Sequence, residues 1–326
     1  MKVLVTGGAG FIGSNFVRYL VKKHPEWNII VLDALTYAGR KENLSDVWSK
    51  IKFIHGDIRK KEDVEKAVKD VDVIVNFAAE THVDKSIIDS GSFVLTNVYG
   101  TYNLLEACRK FHIKKFVHIS SDEVYGHILE GSFKEEDKLN PRNPYAASKA
   151  AADLLCRSYF ETYNLPVVIT RSTNNYGPYQ HPEKFIAKTI IYALLNKPIP
   201  IYGSGEQVRD WLFVEDNCEA IELILDKGEN GEIYNIAGKE EMKNLEVVKT
   251  ILKLMNKPES LIKFVKDRPG HDLRYSLNIS KIEKLGWKPK TKFEDGIKKT
   301  IEWYVNNEWR WKPIIEKQEI DFYEKF

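Results

Sequence analysis

The sequence predicts an α/β fold in which a doubly wound parallel sheet is followed by a smaller C-terminal α/β lobe. Through residues 1–172, short continuous apolar runs alternate with longer segments of helical periodicity. Parallel strands need helical crossovers and are buried on both faces, so this alternation indicates a parallel sheet covered by helices. After residue 172 prolines and glycines become frequent and the rhythm weakens. That change predicts a second lobe over residues 173–326, with some segments returning to the main sheet.

The elements of the first part follow from these two patterns. Short runs rich in Val, Ile, Leu and Phe are predicted as strands. These strands are Lys2–Thr6, Asn28–Leu32, Lys52–His55, Val71–Val75, Lys115–Ile119 and Val167–Thr170. Apolar residues at helical spacing predict helices between them. These helices are Phe11–Lys22, Val64–Val68, Phe93–Phe111 and Tyr145–Tyr163.

Composition narrows the classes of function. The 326 residues fit one large domain or about two smaller ones. The 49 basic and 47 acidic residues leave a net charge of +2, which gives no reason to expect a nucleic-acid partner. No apolar run reaches the roughly 18 residues of a membrane span, so no membrane partner is expected. The three cysteines, an odd number without metal-ligand spacing, favour a reducing, cytoplasmic location and no metal.

A glycine-rich turn follows the first predicted strand and opens the first predicted helix. Gly7, Gly10 and Gly13 satisfy one spacing of the dinucleotide-binding pattern, and Gly8 in place of Gly7 satisfies the other. Glycines here let the chain turn tightly and bring backbone N–H groups against a pyrophosphate. Asp33, at a strand end twenty residues after Gly13, can accept hydrogen bonds from both ribose hydroxyls and would repel a 2′-phosphate. The turn therefore predicts a Rossmann-like site for NAD rather than NADP.

Two further strand ends are expected at the cofactor. Asp57 and Ile58 follow the third strand, where they can flank an adenine, although Asp57 can equally cap the next helix. Ala78 and Ala79 end the fourth strand. Their small side chains allow close approach of a cofactor, with plain packing as the alternative.

A tyrosine and a lysine share one face of the last predicted helix of the first part. Tyr145 and Lys149 are four residues apart, so their side chains are neighbours on a helix. An ammonium near a phenol favours the phenolate, so Lys149 is expected to lower the pKa of Tyr145, and a positive nicotinamide ring would add to this. Tyr145 then becomes a candidate base near neutral pH.

Two adjacent acids close the fifth strand. Asp122 and Glu123 come directly after Ser121, at the edge of the sheet where ligands of doubly wound folds bind. One carboxylate there can remove a carbon-bound proton while the other, protonated, donates to a leaving hydroxyl. This is the equipment for eliminating water; the alternative is that both acids are solvated loop charges.

These motifs resemble those of the dTDP-glucose 4,6-dehydratase family within the extended short-chain dehydrogenases/reductases. The stretches that carry the resemblance are Thr6–Ser14, Leu32–Gly39, Ala78–Ile87, Thr96–Thr101, Ser120–Gly126, Pro144–Lys149, Arg171–Lys184, Ile201–Asp216 and Asp267–Tyr275. They cover nearly the whole chain. The two adjacent acids and the stretch DRPGHDLRY separate this family from epimerases with the same cofactor motifs. Ser121 departs from the family, which more often has threonine there, but it keeps the hydroxyl.

The resemblance implies a reaction in which dTDP-glucose loses water. Tyr145 would take the proton of the C4 hydroxyl while NAD accepts hydride from C4, and Ser121 would hydrogen-bond to the C4 oxygen. Glu123 would remove the C5 proton, Asp122 would protonate the departing C6 hydroxyl, and the hydride would return to C6. The product, dTDP-4-keto-6-deoxyglucose, belongs to deoxysugar biosynthesis of the dTDP-rhamnose type.

The resemblance also implies the residues around each ligand. Further cofactor contacts would be Phe11, Ile12, Ala34, Leu35, Thr36, Thr96 and Asn175. Nucleotide-sugar contacts would be Thr81, Ser121, Asn174, Lys184, Phe185, Pro200, Ile201, Tyr202, Arg209, Asn244, Asp267, Arg268 and His271. Arg209 is expected on the diphosphate, because a guanidinium grips phosphate oxygens in a fixed fork, with an ion pair to Asp210 or Glu206 as the alternative. In the family, helices matching 93–111 and 145–163 pair into a four-helix dimer contact, so a homodimer is implied.

Two other kinds of function stay open on the sequence. A related nucleotide-sugar 4-epimerase would keep Tyr145 and Lys149 without needing Asp122 and Glu123, whereas a dehydratase for another nucleotide would keep all four. A non-enzymatic NAD-binding protein would need none of the four, so their joint presence speaks against it.

Overall fold

A parallel sheet of seven strands, counted over the residues that the structure describes, forms the centre of the molecule. The computed structural model describes residues 1–317 and residue 321, so the end of the predicted second lobe lies outside it. The strands are β1 (Lys2–Thr6), β2 (Asn28–Asp33), β3 (Ile51–His55), β4 (Val73–Asn76), β5 (Lys115–Ser121), β6 (Val167–Ser172), β7 (Asn174–Tyr176), β8 (Ile199–Tyr202), β9 (Val208–Phe213), β10 (Ile233–Ile236), β11 (Glu241–Lys243) and β12 (Ile262–Val265).

Helices carry the crossovers between these strands. They are α1 (Phe11–Lys23), α2 (Lys61–Val68), α3 (Val83–Ile88), α4 (Ser90–Phe93), α5 (Gly100–Phe111), α6 (Pro144–Tyr163), α7 (Phe185–Leu194), α8 (Val214–Lys227), α9 (Asn244–Leu254), α10 (Ser280–Lys284), α11 (Phe293–Asn306) and α12 (Glu308–Lys317). Short 3-10 turns occupy Lys41–Leu44, Trp48–Lys50, Asp122–Tyr125 and Glu259–Leu261, and a π-helical segment occupies Val94–Tyr99. No helix in the described part of the chain is long and apolar enough to cross a bilayer.

The strand order of the main sheet is β10-β6-β5-β4-β1-β2-β3. From β1 the chain winds outward to β2 and β3, and it then returns to the other side of β1 for β4, β5 and β6. Neighbouring strands are parallel throughout, so their carboxyl ends share one edge. A crevice opens at that edge where the order reverses, between β1 and β4. The predicted doubly wound α/β fold is confirmed.

Apolar side chains of the helices cover both faces of the sheet. On one face, Leu20 of α1 and Ile224 of α8 belong to one apolar cluster, with both side chains fully buried. On the other face, Leu105 of α5 and Cys156 of α6 belong to a second cluster, with both side chains fully buried. Because both faces are packed, the strand ends that carry the polar residues of the site are held in fixed positions.

The chain after β6 builds two small sheets and sends one strand back to the main sheet. Strand β10 pairs in parallel with β6, so that Ile233 lies opposite Ile169 and Ile236 opposite Ser172. Strands β11, β9 and β7 form one small sheet, and β12 and β8 form the other. A third apolar cluster joins them to α7, α9 and α11.

Most predicted elements differ from the observed ones by one to three residues at an end, and two of the differences have a clear structural cause. Strand β4 starts at Val73 rather than Val71, because the Val71 N–H closes the turn after α2 on the Val68 carbonyl at 3.1 Å. The helix predicted as Phe93–Phe111 is interrupted by the π-helical segment Val94–Tyr99. The spacing of apolar residues does not show the extra residue that a π-helical turn contains. Such turns frequently occur at functional sites.

Candidate active site

A cavity of about 450 Å³ opens at the carboxyl edge of the main sheet. Residues of the first part and of the second lobe both line it. Every residue that the sequence assigned to catalysis, cofactor or substrate lines this cavity, apart from Gly8, Leu35 and Asp267. Residues more than 250 positions apart in the chain, such as Gly7 and His271, therefore belong to one site.

The glycine turn between β1 and α1 forms one wall of the cavity. Gly7 has a φ of +66°, and a Cβ placed on it would lie 2.6 Å from the Ala78 backbone nitrogen. A Cβ on Gly13 would lie 2.3 Å from the Gly7 carbonyl oxygen. Helix α1 starts directly after the turn, and no side chain among the described residues caps it. Uncapped backbone N–H groups beside a cradle that only glycine can form fit the pyrophosphate of a dinucleotide.

Asp33 lies at the end of β2 with its carboxylate fixed by the backbone. Oδ2 accepts a hydrogen bond from the Ala9 N–H at 2.9 Å, and Oδ1 accepts one from the Leu35 N–H at 2.8 Å. Gly39 leaves it room, since a Cβ there would lie 2.4 Å from Oδ1. Burial raises the pKa of Asp33 above its ordinary value, and the two backbone bonds oppose the rise. Leu35 contributes to the site through this backbone N–H, which holds the Asp33 carboxylate. Its side chain packs against the core and does not line the cavity.

Asp57 does not cap the helix that follows it. Residue Lys60 is the first cap position of α2, and the Asp57 carboxylate is instead bound by Arg59, whose Nε and NH2 groups lie 2.8 and 2.6 Å from Oδ2. Both residues line the cavity beside Ile58. The side chain of Asp57 is thus held at the site by a local ion pair.

Tyr145 and Lys149 lie on the buried face of α6. The helix starts with Asn143 as its cap, whose Oδ1 accepts a hydrogen bond from the Ala146 N–H at 2.8 Å. Lys149 is 4% exposed, and its Nζ donates to the Ile119 carbonyl of β5 at 2.5 Å. The backbone of a neighbouring strand therefore holds the ammonium in place.

The pKa of Tyr145 is raised in this structure, and the expected lowering by Lys149 is not what the structure gives. Burial is the main cause of the higher pKa of Tyr145, and the charge of Glu123 adds to it, while a hydrogen bond with Ser121 opposes it. Burial also lowers the pKa of Lys149 to about 8. The four-residue spacing of Tyr145 and Lys149 predicts that they share one helix face. It does not predict that the phenol is buried or that Glu123 lies beside it.

Ser121, Asp122 and Glu123 form the end of β5 and the 3-10 turn after it. The Ser121 hydroxyl caps this turn: it accepts a hydrogen bond from the Glu123 N–H at 3.3 Å and donates to Asp122 Oδ1 at 3.2 Å. Glu123 Oε2 accepts a hydrogen bond from the Asn143 side chain at 3.0 Å. The cap of the helix with Tyr145 thus also positions Glu123. Neither acid is a solvated loop charge.

The surroundings of Asp122 favour its protonated form. It is 3% exposed, and its Oδ2 has no hydrogen-bond partner among the described residues. Burial, followed by the charge of Glu123, raises the pKa of Asp122 to about 8. Asp122 therefore carries a proton at neutral pH and can give it to an oxygen placed in the cavity.

Arg209 on β9 is a buried cation anchored by backbone carbonyls. Its NH1 and NH2 groups donate to Val208 O at 2.7 Å and Asp272 O at 2.9 Å, and the guanidinium lies 4.4 Å from the Tyr275 ring centre. The predicted alternative does not occur, because Glu206 pairs with Lys243 and Asp210 accepts the Glu240 N–H. No carboxylate in the described part of the chain forms an ion pair with Arg209. A buried cation without an anion fits a ligand that brings one.

Asp267 acts behind the cavity rather than in its wall. Its Oδ1 lies 2.6 Å from His271 Nδ1, and its Oδ2 accepts a hydrogen bond from Gln207 at 3.0 Å. Burial, followed by the charges of Arg268 and Arg209, lowers the pKa of His271 to about 4. His271 is therefore a neutral ring at physiological pH, with its orientation set by Asp267.

Asp84 is a site residue that sequence reasoning missed. One oxygen accepts a hydrogen bond from the Tyr202 hydroxyl at 2.9 Å, and the other accepts one from Arg268 NH1 at 2.7 Å. It joins α3 to two distant segments of the second lobe across the cavity. An aspartate in the first turn of a short helix gives no signal of this, because both partners are more than 100 residues away.

Asn97 in the π-helical segment was also missed. Its side chain accepts a hydrogen bond from the Glu80 N–H at 2.8 Å, and it donates to Glu80 O at 3.0 Å and to the Ser148 hydroxyl at 2.8 Å. Ser148 in turn donates to Tyr145 O at 2.7 Å. Asn97 thus joins the segment before Thr81 to the helix of Tyr145.

Within residues 1–317 and 321, no three His, Cys, Asp or Glu side chains are arranged to hold a metal.

Comparisons with known proteins agree with this geometry. The protein-family model described as GDP-mannose 4,6 dehydratase matches residues 4–300. Low-salt glycan biosynthesis protein Agl12 of Haloferax volcanii is 51% identical over 310 residues, which cover 94% of this chain and 100% of that protein. A dTDP-glucose 4,6-dehydratase of Streptomyces niveus is 47% identical over 326 residues, which cover 98% and 97% of the two chains.

The chain belongs to the dTDP-glucose 4,6-dehydratase family. A solved structure of DesIV, the dTDP-glucose 4,6-dehydratase of Streptomyces venezuelae with NAD and TYD bound, superposes with a TM-score of 0.95 at 47% identity. The match covers 96% of this chain and 100% of that one. The family resemblance inferred from the motifs is therefore confirmed over nearly the full length.

Proposed function

We propose that this chain is an NAD-dependent hydro-lyase that converts dTDP-glucose to dTDP-4-keto-6-deoxyglucose for deoxysugar biosynthesis of the dTDP-rhamnose type. The observation that carries the proposal is the pair Asp122 and Glu123 in the same cavity as Tyr145. An epimerase has no use for a buried acid that holds its proton at neutral pH, whereas loss of a hydroxyl group requires one.

Four polar groups of the site have separate parts in this reaction. Tyr145 takes the proton of the sugar C4 hydroxyl, and Ser121, hydrogen-bonded to the phenol, binds the C4 oxygen. Glu123 removes the C5 proton, which the neighbouring C4 ketone has made acidic. Asp122 protonates the C6 oxygen as it leaves as water. Glu123 then returns its proton to C5 and is a carboxylate again. Asp122 is reprotonated at the expense of the proton that Tyr145 took from the C4 hydroxyl, so the net change is the loss of one water.

Bound NAD supplies the oxidant that accepts hydride from C4 and later returns it to C6, and its positive ring favours the phenolate. The glycine turn holds the pyrophosphate, Asp33 binds the ribose hydroxyls, and Asp57 with Ile58 flanks the adenine. Ala78, Ala79 and Thr96 let the cofactor approach α6, and Asn175 reaches its nicotinamide end. Asn175 Oδ1 is buried without a partner among the described residues, which supports a ligand contact there.

The nucleotide diphosphate binds mainly to the second lobe. Arg209 supplies the buried charge that the diphosphate neutralises. Other contacts on this side are Thr81, Asn174, Lys184, Phe185, Pro200, Ile201, Tyr202, Asn244, Arg268 and His271. Buried oxygens of Asn174 and Asn244 have no partner in the described part of the chain, which supports the same assignment. We thus assign residues 1–172 to the cofactor and residues 173–326 mainly to the nucleotide sugar.

A homodimer and a cytoplasmic location complete the proposal. Leu95 and Tyr99 in the π-helical segment, Tyr102 of α5 and Leu154 of α6 are apolar or aromatic side chains between 40% and 59% exposed. A second copy would cover them by pairing these helices. All three cysteines are free and buried, which fits a reducing compartment.

A panel of nucleotide sugars tests the proposed function. The purified chain is incubated with NAD and, separately, with dTDP-glucose, UDP-glucose and GDP-mannose, and the products are read by NMR and by absorbance in alkali. A 4-keto-6-deoxy product from dTDP-glucose is expected. A galactose nucleotide without any keto sugar would replace the proposal by 4-epimerisation, and dehydration of another nucleotide sugar would correct the substrate.

A further inference from the structure

Helix α6 carries a buried acid that the proposed reaction does not use. Asp153 lies four residues after Lys149 and eight after Tyr145, so the three side chains lie along one face of the helix. Asp153 is 2% exposed. A carboxylate in so dry a place is costly unless neighbouring groups stabilise its charge.

Arg171 on β6 fixes the Asp153 carboxylate. Its Nε donates to Asp153 Oδ2 at 2.9 Å, and its NH1 donates to the Tyr125 hydroxyl at 2.7 Å. That hydroxyl donates to Asn235 Oδ1 on β10 at 2.9 Å. These hydrogen bonds connect the Asp153 carboxylate to strands β6 and β10 and to the turn that carries Asp122. They therefore fix the position of the carboxylate.

The other oxygen of Asp153 faces a neutral imidazole. Asp153 Oδ1 lies 3.6 Å from His118 Nε2. The Asn76 amide oxygen accepts the Thr6 hydroxyl at 2.6 Å, so the Asn76 amide nitrogen donates to His118 Nδ1, and the ring proton is on Nε2. Burial lowers the pKa of His118 well below its ordinary range. His118 therefore adds no charge, and the field of Asp153 acts on the two cations around it.

Those cations are Lys149 and Arg171, so the buried cluster has one positive charge in excess. Burial lowers the pKa of Lys149 to about 8, and the Asp153 carboxylate is the main influence against that fall. If Asp153 were neutral, two cations would share a dry interior with no anion, and Lys149, the weaker base, would lose its proton first.

We infer that Asp153, held by Arg171, is a positioning residue that keeps Lys149 a cation where it supports the Tyr145 phenolate. The inference rests on the part proposed above for Tyr145 as the base, and it adds that the Lys149 ammonium, one turn away, favours the phenolate once Tyr145 has lost its proton. It extends the functional unit on α6 by one turn and makes the buried Asp153 carboxylate a condition of activity at neutral pH. The titratable and charged groups that face Asp153 and Lys149 are Tyr145 and Cys156 on α6, His118 on β5, Arg171 on β6 and Tyr125 in the turn after β5.

NMR titration of Lys149 tests the inference without turnover. The full chain is labelled with ¹³Cε-lysine, and the Lys149 signal is assigned by its loss in a Lys149→Met variant. Asp153→Asn is expected to lower the midpoint by about one pH unit or more, a tenfold change in proton affinity. In Arg171→Met the Asp153 carboxylate loses its ion pair with Arg171, and the cluster loses one of its two cations. The Lys149 midpoint is therefore expected to rise. Asp153→Glu, which keeps the charge, is expected to restore it.

If Asp153 had only a structural role, the Asp153→Asn and Arg171→Met variants would not shift the Lys149 midpoint in opposite directions. An unchanged Lys149 midpoint in Asp153→Asn with native near-ultraviolet circular dichroism would overturn the inference. If Asp153→Asn does not fold, Arg171→Met decides, because a midpoint that stays or falls there contradicts the inference equally. The alkaline limb of the pH–rate profile should follow the same shifts. A wild-type chain without dehydratase activity would refute the proposed function, whereas the titration would still decide the charge of Lys149.

Discussion

Asp122→Asn is the substitution whose effect the structure quantifies most directly. Burial and the charge of Glu123 raise the pKa of Asp122 from 3.8 to about 8. One pH unit corresponds to about 1.4 kcal/mol, so ionisation of this side chain disfavours the folded state by on the order of 5 kcal/mol. Because the pKa is higher in the folded state, the stability from protonated Asp122 is complete below pH 3.8 and is lost as the pH rises to about 8.

Asparagine has the shape of the protonated acid and cannot ionise. We therefore expect the variant to gain stability over the wild type steadily between about pH 5 and pH 8. Urea unfolding at a series of pH values measures this gain, and Asp226→Asn, which removes an exposed aspartate, serves as a control without such a trend. Dehydration should fall by about 10²–10⁴-fold, because an amide cannot protonate the leaving hydroxyl. A stability difference independent of pH would refute the assignment of Asp122 as the buried acid.

Three other substitutions test separate parts of the site. Gly13→Ala places a Cβ 2.3 Å from a backbone oxygen, so NAD affinity measured by calorimetry should fall about tenfold or more. Gly91→Ala, whose Cβ would lie 3.5 Å from Asp89 Oδ1 in ordinary contact, should leave it unchanged. Tyr145→Phe should lower dehydration by about 10²–10⁴-fold with NAD binding intact, and retained turnover would exclude it as the base. Asp84→Asn loosens its two partners across the cavity, so KM for dTDP-glucose should rise several-fold with little change in kcat; a fall in kcat alone would contradict a binding role.

The sequence predicted the main sheet and the cofactor wall because both depend on local patterns. Apolar strands alternate with helices, and the carboxyl ends of parallel strands meet at one edge, so Gly7, Asp33 and Asp122 had to lie near one another. The contacts of Asp84 and Asp153 could not be predicted. Their partners are on other strands and loops, and an isolated aspartate on a helix carries no sign of them.

The charge states of the site were predicted only in part. The neighbouring acids suggested that Asp122 holds a proton, and the structure supports this because Asp122 is buried beside Glu123. The spacing of Tyr145 and Lys149 suggested a lower pKa for the phenol, yet burial and the charge of Glu123 raise it. A pKa depends on desolvation and on charges from other elements, and neither is visible in the spacing of two residues.

Migration of deuterium from C4 to C6 of the sugar tests most directly whether one site oxidises, dehydrates and reduces the same molecule. The chain with NAD is given dTDP-glucose deuterated at C4, and the product is read by NMR and mass spectrometry. The proposed reaction places the label in the C6 methyl group of a 4-keto-6-deoxy sugar. Label that remains at C4 of an epimerised sugar, or that is lost to solvent, would contradict the parts given to Tyr145, Asp122 and Glu123.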